Sequence, residues 1–101
     1  MSSDEILSKI QNSTTNLIYK QEDIKTTKID KETKSTSFVI LSDDLVTIGE
    51  SVKAITEHTK KYDLKKEVIN VIIISSRMLE KFDKQSDGKF SQTLFSNTSN
   101  I

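Results

Sequence analysis

Phe38, Leu41, Leu45, Ile48, Val52, Ile55, Thr59 and Tyr62 recur at alternating spacings of three and four. No other feature limits the fold of this chain as strongly. In a helix that spacing lines all eight along one narrow stripe, the kind that packs against another helix rather than into a broad core. It predicts a long helix starting near Phe38. A second stripe follows in a different phase: Leu64, Val68, Val71, Ser75, Met78 and Phe82, widened by Ile72 and Leu79. The shift calls for a new helix or a bend, because one straight helix cannot hold both stripes against one partner. Asp63 is placed to cap that helix, which spans about 63 to 84.

The punctuation of the chain agrees with helices. Proline is absent, and the two glycines are Gly49 and Gly88. Strands joined by tight turns normally need more turn residues than that. Near the start, Ser2 and Glu5 form a capping box with Asp4 beside the positive helix end. Leu7, Ile10, Leu17 and Ile24 continue at helical spacing, with Thr14, Gln21 and Lys28 interrupting the alternate positions. The first helix therefore runs from about 3 to 20 and fades toward 34. Thr33, Ser35, Thr36 and Ser37 compete for backbone hydrogen bonds and mark a joint at 32 to 37. Gly49, beside the stripe, fits either a close helix crossing or a tolerated surface position.

Two stretches admit a second reading. A helix cap at Ser42, with Asp43 and Asp44 in the first turn, would leave Phe38 to Leu41 as a short strand or extended lead-in. Val68 to Ile74 is rich in β-branched residues and, taken alone, fits a buried strand. Continuity of the heptad through Phe38 and Leu41 favours helix in the first case. Helix-like flanks favour it in the second. Beyond Gln85 the chain turns Ser/Thr/Asn/Gln-rich, and Phe90, Leu94 and Phe95 are too few to bury, so a flexible polar tail is expected. The expectation is an all-α fold: two to three helices in a hairpin or coiled-coil-like bundle, with a helical interaction domain over 1–84 and a flexible tail over 85–101.

Chemistry leaves few traces. Fifteen basic residues balance fifteen acidic ones, which disfavours a nucleic-acid binder; the nearest basic cluster is Lys60, Lys61, Lys65 and Lys66. There is no cysteine for a disulfide or thiolate site, and His58 stands without a nucleophile setting. Asp83, Gln85, Asp87 and Gly88 imitate the opening of a calcium loop, but Leu94 occupies the place of its closing glutamate. Ser99-Asn100-Ile101 fits a loose C-terminal PDZ ligand, a three-residue pattern common by chance. The longest apolar run, Val71 to Ile74, is far short of the ~20 residues that span a bilayer, and the first residues lack a signal-peptide pattern. These features point to a soluble cytoplasmic protein, with the nucleus as alternative, that is not an enzyme and carries no cofactor or metal.

What remains is contact. The first helix is a poor partner for the other two, which carry apolar residues on more than one side (Val39, Ile40 and Val46; Ile69, Ile73 and Ile74). The surplus predicts helical protein partners, in a hetero- or homo-oligomer, met through Phe38, Leu41, Leu45, Ile48, Val52, Ile55, Tyr62, Val68, Val71, Met78 and Phe82. In length, polar tail and heptad seams the chain resembles the small helical subunits of the lysosome-related organelle biogenesis complex or the outer-kinetochore ring complex. The resemblance implies a non-enzymatic subunit of an assembly. The alternatives are a self-contained helical bundle that regulates or inhibits one target and, more weakly, a nucleic-acid accessory protein.

Overall fold

The structure, a computed structural model, describes residues 2–27, 35–63 and 69–96. It is an α/β fold, not an all-α bundle or coiled coil. Helix α1 (Ser3–Gln11) leads into strand β1 (Thr14–Ile18) and a 3-10 turn (Gln21–Thr26). Strand β2 (Thr36–Leu41), helix α2 (Leu45–Lys61) and strand β3 (Ile69–Ile74) follow, and helices α3 (Ser76–Ser86) and α4 (Lys89–Ser96) end the described chain. The strands form one parallel sheet in the order β1-β2-β3. Phe38 and Leu41 thus lie in β2 and Val71 in β3, rather than on helices. Val68 and the Lys65–Lys66 half of the basic cluster lie outside the described residues, as does the C-terminal Ser99-Asn100-Ile101.

The error has a physical cause. A parallel strand covered on both faces reads as a continuous apolar run, and such a run satisfies three- and four-residue spacing as readily as any other. Val and Ile lose side-chain freedom in a helix and pack well on a pleated surface. Phe38-Val39-Ile40-Leu41 and Val71-Ile72-Ile73-Ile74 are both of this kind. The scarcity of glycine misled for a second reason: Asp63 (φ 53°) and Asp87 (φ 56°) take up the left-handed turn conformation that glycine usually supplies. Asp63 therefore ends α2 instead of capping a new helix.

Register divides the sheet into two faces. Leu17, Val39 and Ile72 are partners across the three strands. They pack with Ile6 and Ile10 of α1, Phe82 of α3, and Phe90 and Leu94 of α4. The next row, Ile18, Ile40 and Ile73, points to the opposite face. There Ile18, Ile24, Phe38, Ile40 and Ile55 of α2 make a second, smaller core. Residues 85 to 96 are therefore no flexible tail: Phe90 and Leu94 are fully buried, and the Phe82 and Phe90 rings lie 5.0 Å apart. Buried Phe82 and half-buried Met78 face this core from α3 instead of forming a partner seam.

The helices start where the sequence offers caps. Ser2 Oγ accepts from Glu5 N (3.2 Å), Ser75 Oγ from Met78 N (3.2 Å), and the Asp44 carboxylate from Val46 N and Thr47 N. The chain turns between α3 and α4 at Asp87-Gly88, where Asp83 accepts from the backbone and hydroxyl of Ser91. The residues that imitate a calcium loop thus serve a helix–helix turn.

Candidate functional site

Parallel α/β sheets usually bind ligands beyond the carboxyl ends of their strands. Here that end is formed by Ser42-Asp43-Asp44 after β2 and Ser75-Ser76 after β3. Asp43 Oδ1 accepts from Ser76 N (2.8 Å) and Oδ2 from Ser76 Oγ (2.6 Å). The Ser76 hydroxyl, then its amide, holds the Asp43 carboxyl below its usual pKa. Asp44 accepts from Thr47 Oγ1 (2.6 Å) and from two amides of its own helix, and these lower its pKa in the same way, the Thr47 hydroxyl first. Val46 N and Thr47 N at the start of α2 are already bonded to the Asp44 carboxylate, and at the start of α3 Ser76 N is bonded to Asp43 and Met78 N to the Ser75 hydroxyl. An incoming anion would also meet two negative charges. Among the described residues no group of three or more His, Cys, Asp or Glu side chains could hold a metal ion.

A concavity of about 630 Å³ runs along α3 and is lined by Ser76, Leu79, Glu80, Asp83, Lys84, Asp87 and Gly88. Most of its polar side chains are engaged: Glu80 pairs with Lys84 (3.4 Å), Asp83 holds Ser91, and the Ser76 hydroxyl donates to Asp43. It offers no convergent unspent chemistry.

The apolar surface lies elsewhere, on β3. Among the described residues β3 pairs with β2 alone, which leaves its other side open. Val71 is 42% exposed and Ile73 40%, both on the α2 face. Ile69, on that face too, is half-buried against the smaller core. Around this open edge a cavity of about 410 Å³ is lined by Ile6, Lys9, Met78 and residues 69 to 73.

Helix α2 explains the exposure. At about 100° per residue, Ala54, Glu57, His58 and Lys61 share one flank. They line a cavity of about 200 Å³ with Gln21, Ile24 and Lys25 of the 3-10 turn that follows β1. The helix thus leans toward β1, and its other flank looks over β3. That flank carries Leu45, Ile48, Val52, Thr56 and Thr59. Glu50, Lys53, Glu57, Lys60 and Lys61, the acidic and basic residues of α2, all fall outside it. Thr56 Oγ1 donates to Val52 O and Thr59 Oγ1 to Thr56 O, both at 2.9 Å, so these hydroxyls are satisfied within the helix. Leu45 is 83% exposed, and Val52 is exposed as well.

The residues expected as one contact seam are therefore divided. Phe38 and Ile55 are buried, Leu41 and Ile48 are half-buried, and Leu45, Val52, Tyr62 and Val71 are exposed. Gly49 is exposed, with nothing within 4 Å of a side chain built there, so it serves no close crossing. Ile73 belongs to the open surface but was not placed on the seam. The signal for it was β-branched content, which separates strand from helix where spacing does not. His58 packs its ring 4.8 Å from that of Tyr62, and its Nε2 is buried without a partner. Burial, and secondarily the Lys61 charge, lowers its pKa.

No helix among the described residues is long and apolar enough to cross a membrane. Family models, curated proteins and solved structures were each compared with the chain, and none matches it.

Proposed function

We propose that this chain is a non-enzymatic protein-binding component, and that it makes contact through the open edge of β3 together with the uncharged flank of α2. One observation carries the reading: Val71 and Ile73 stand exposed on an apolar outer strand whose second side has no strand partner among the described residues. A partner segment laid along β3 would take up the free backbone groups of the edge, while alternate side chains enter the space beside Val71 and Ile73. Main-chain hydrogen bonds would supply affinity, and the shape of the groove between β3 and α2 would supply selectivity. The idea of an assembly component stays, but its contact moves from a helix–helix seam to a strand edge with a helix beside it.

The test compares the tagged protein with a Val71→Lys/Ile73→Lys variant. Both are recovered from the cells that express the chain naturally, with bound partners quantified and amide hydrogen exchange of 69 to 74 measured in the recovered complex. The reading expects specific partners to be lost from the folded variant, and the β3 amides of the wild type to be protected in the complex. Equal recovery by a folded variant, or β3 amides as exchangeable in the complex as in the free chain, would refute it.

A further inference from the structure

We propose that the occupant of this edge is a second copy of the same chain, with the two β3 strands paired antiparallel across a two-fold axis to give a six-stranded sheet. The inference rests on the reading of β3 as the contact surface and adds the identity of what covers it.

Four observations favour a second copy. First, the six residues of β3, Ile69-Asn70-Val71-Ile72-Ile73-Ile74, hold no charge, no proline and no glycine, and the charged side chain lining the cavity at this edge is Lys9 of α1. The one polar side chain of β3, Asn70, already donates to Ser35 Oγ (3.0 Å) and Ser37 Oγ (3.4 Å). Second, the formal net charge is zero, so two copies approach without mutual repulsion. Third, the strand is complementary to itself. A two-fold axis normal to the sheet at Val71 sets Val71 against Val71 of the other copy and Ile69 against its Ile73. That makes three β-branched pairs on the α2 face. Fourth, the opposite outer strand is closed, since Thr15, Asn16, Leu17 and Ile18 of β1 are all buried. Each copy then offers one edge, and pairing stops at two instead of growing into a fibre.

The helices fit the same arrangement. The axis keeps both α2 helices on one face, each above β1 and β2 of its own copy. Their separation is three to four strand spacings, about 14–19 Å at ~4.8 Å each, against a helix diameter of about 10–12 Å with side chains. Leu45 and Val52 of both copies border the space above Val71 and Ile73.

Sedimentation equilibrium on the purified full chain tests this. The wild type is expected to be a dimer. Val71→Lys and Val71→Asp, at a position exposed in the single chain, should each weaken association on the order of a hundredfold, because like charges then face each other at the axis. Mixing the two folded variants should restore dimers, because the introduced lysine of one copy then lies beside the introduced aspartate of the other. Val52→Glu, on the α2 flank and away from the sheet, should weaken the dimer without altering β3. A wild type that stays monomeric at its highest soluble concentration overturns the proposal, as does a mixture that stays monomeric. If the monomeric wild type still loses cellular partners on Val71→Lys/Ile73→Lys, self-pairing alone has failed. A dimer unaffected by Val71→Lys would remove the edge reading with it.

Discussion

Rows of residues across the sheet show how differently its two faces are finished. Leu17, Val39 and Ile72 form one row, and all three are buried. In the neighbouring row Ile18 and Ile40 are fully buried, whereas Ile73 is 40% exposed. The sequence is equally apolar in both. The difference lies in what covers them: α1, α3 and α4 close the first face over all three strands, while α2 and the 3-10 turn close the second over β1 and β2. A strand as apolar as β3 costs solubility when half its face is left bare. This bare half of β3 is the surface on which the proposed contact is placed.

The contrast can be broken most forcefully on the closed face. Phe90→Ala removes a fully buried ring packed at a tilt against Phe82 and should cost about 3–5 kcal/mol, a large share of what a domain of this size possesses. Urea unfolding followed by circular dichroism would measure it. Removing 85 to 101 takes away Phe90 and Leu94 together and should leave the chain unfolded. If either change is tolerated, α4 is not part of the core and the first face is as open as the second.

A finer comparison uses two adjacent residues of one strand. Ile72→Ala should cost about 2–5 kcal/mol as a buried truncation. Ile73→Ala, measured at concentrations low enough to keep the chain monomeric, should cost only about 1 kcal/mol, because much of its side chain is already in water. Equal costs would mean that the α2 face is covered after all.

How far the sequence reveals this design depends on the element. The Ser2 cap of α1 was legible, and so was the helical character of 45 to 61, because caps and a charged outer face are local signals. The strands were not, since β2 and β3 are short apolar runs whose spacing suits a helix as well, and only their β-branched content speaks for the sheet. Phe90 and Leu94 seemed too few to bury because their partners, Ile6, Ile10 and Ile72, come from distant parts of the chain. Of the residues expected on the seam, Leu45, Val52 and Val71 are exposed, but only the parallel register shows that Val71 and Ile73 share a face beside the free flank of α2.

The less finished face also carries an unpaired polar atom. Ser51, on the buried side of α2, is fully buried, and its Oγ has no hydrogen-bond partner. Ser51→Ala should raise stability by about 1 kcal/mol, by removing a desolvated hydroxyl and improving helix propensity. A loss of similar size would show that the hydroxyl is satisfied.

The smallest expected effect is a pH dependence from the β1-facing flank of α2. The lowered pKa of His58 arises from burial first and the Lys61 charge second. Lys25 and Glu57 line the same cavity. Since the folded chain disfavours the charged imidazole, its neutral form contributes stability fully above the unfolded value of 6.5. As pH falls below that value the unfolded chain takes up the proton first. Stability declines until pH passes the lower folded pKa and is flat beyond it. Asp43 and Asp44, lowered from 3.8, act in the same direction but only in more acid solution. Melting temperatures between pH 7.5 and 5 should therefore fall slightly for the wild type and less for His58→Gln. A steeper fall in His58→Gln would mean that the imidazole is charged in the folded chain and that this flank is open to water, like the one facing β3.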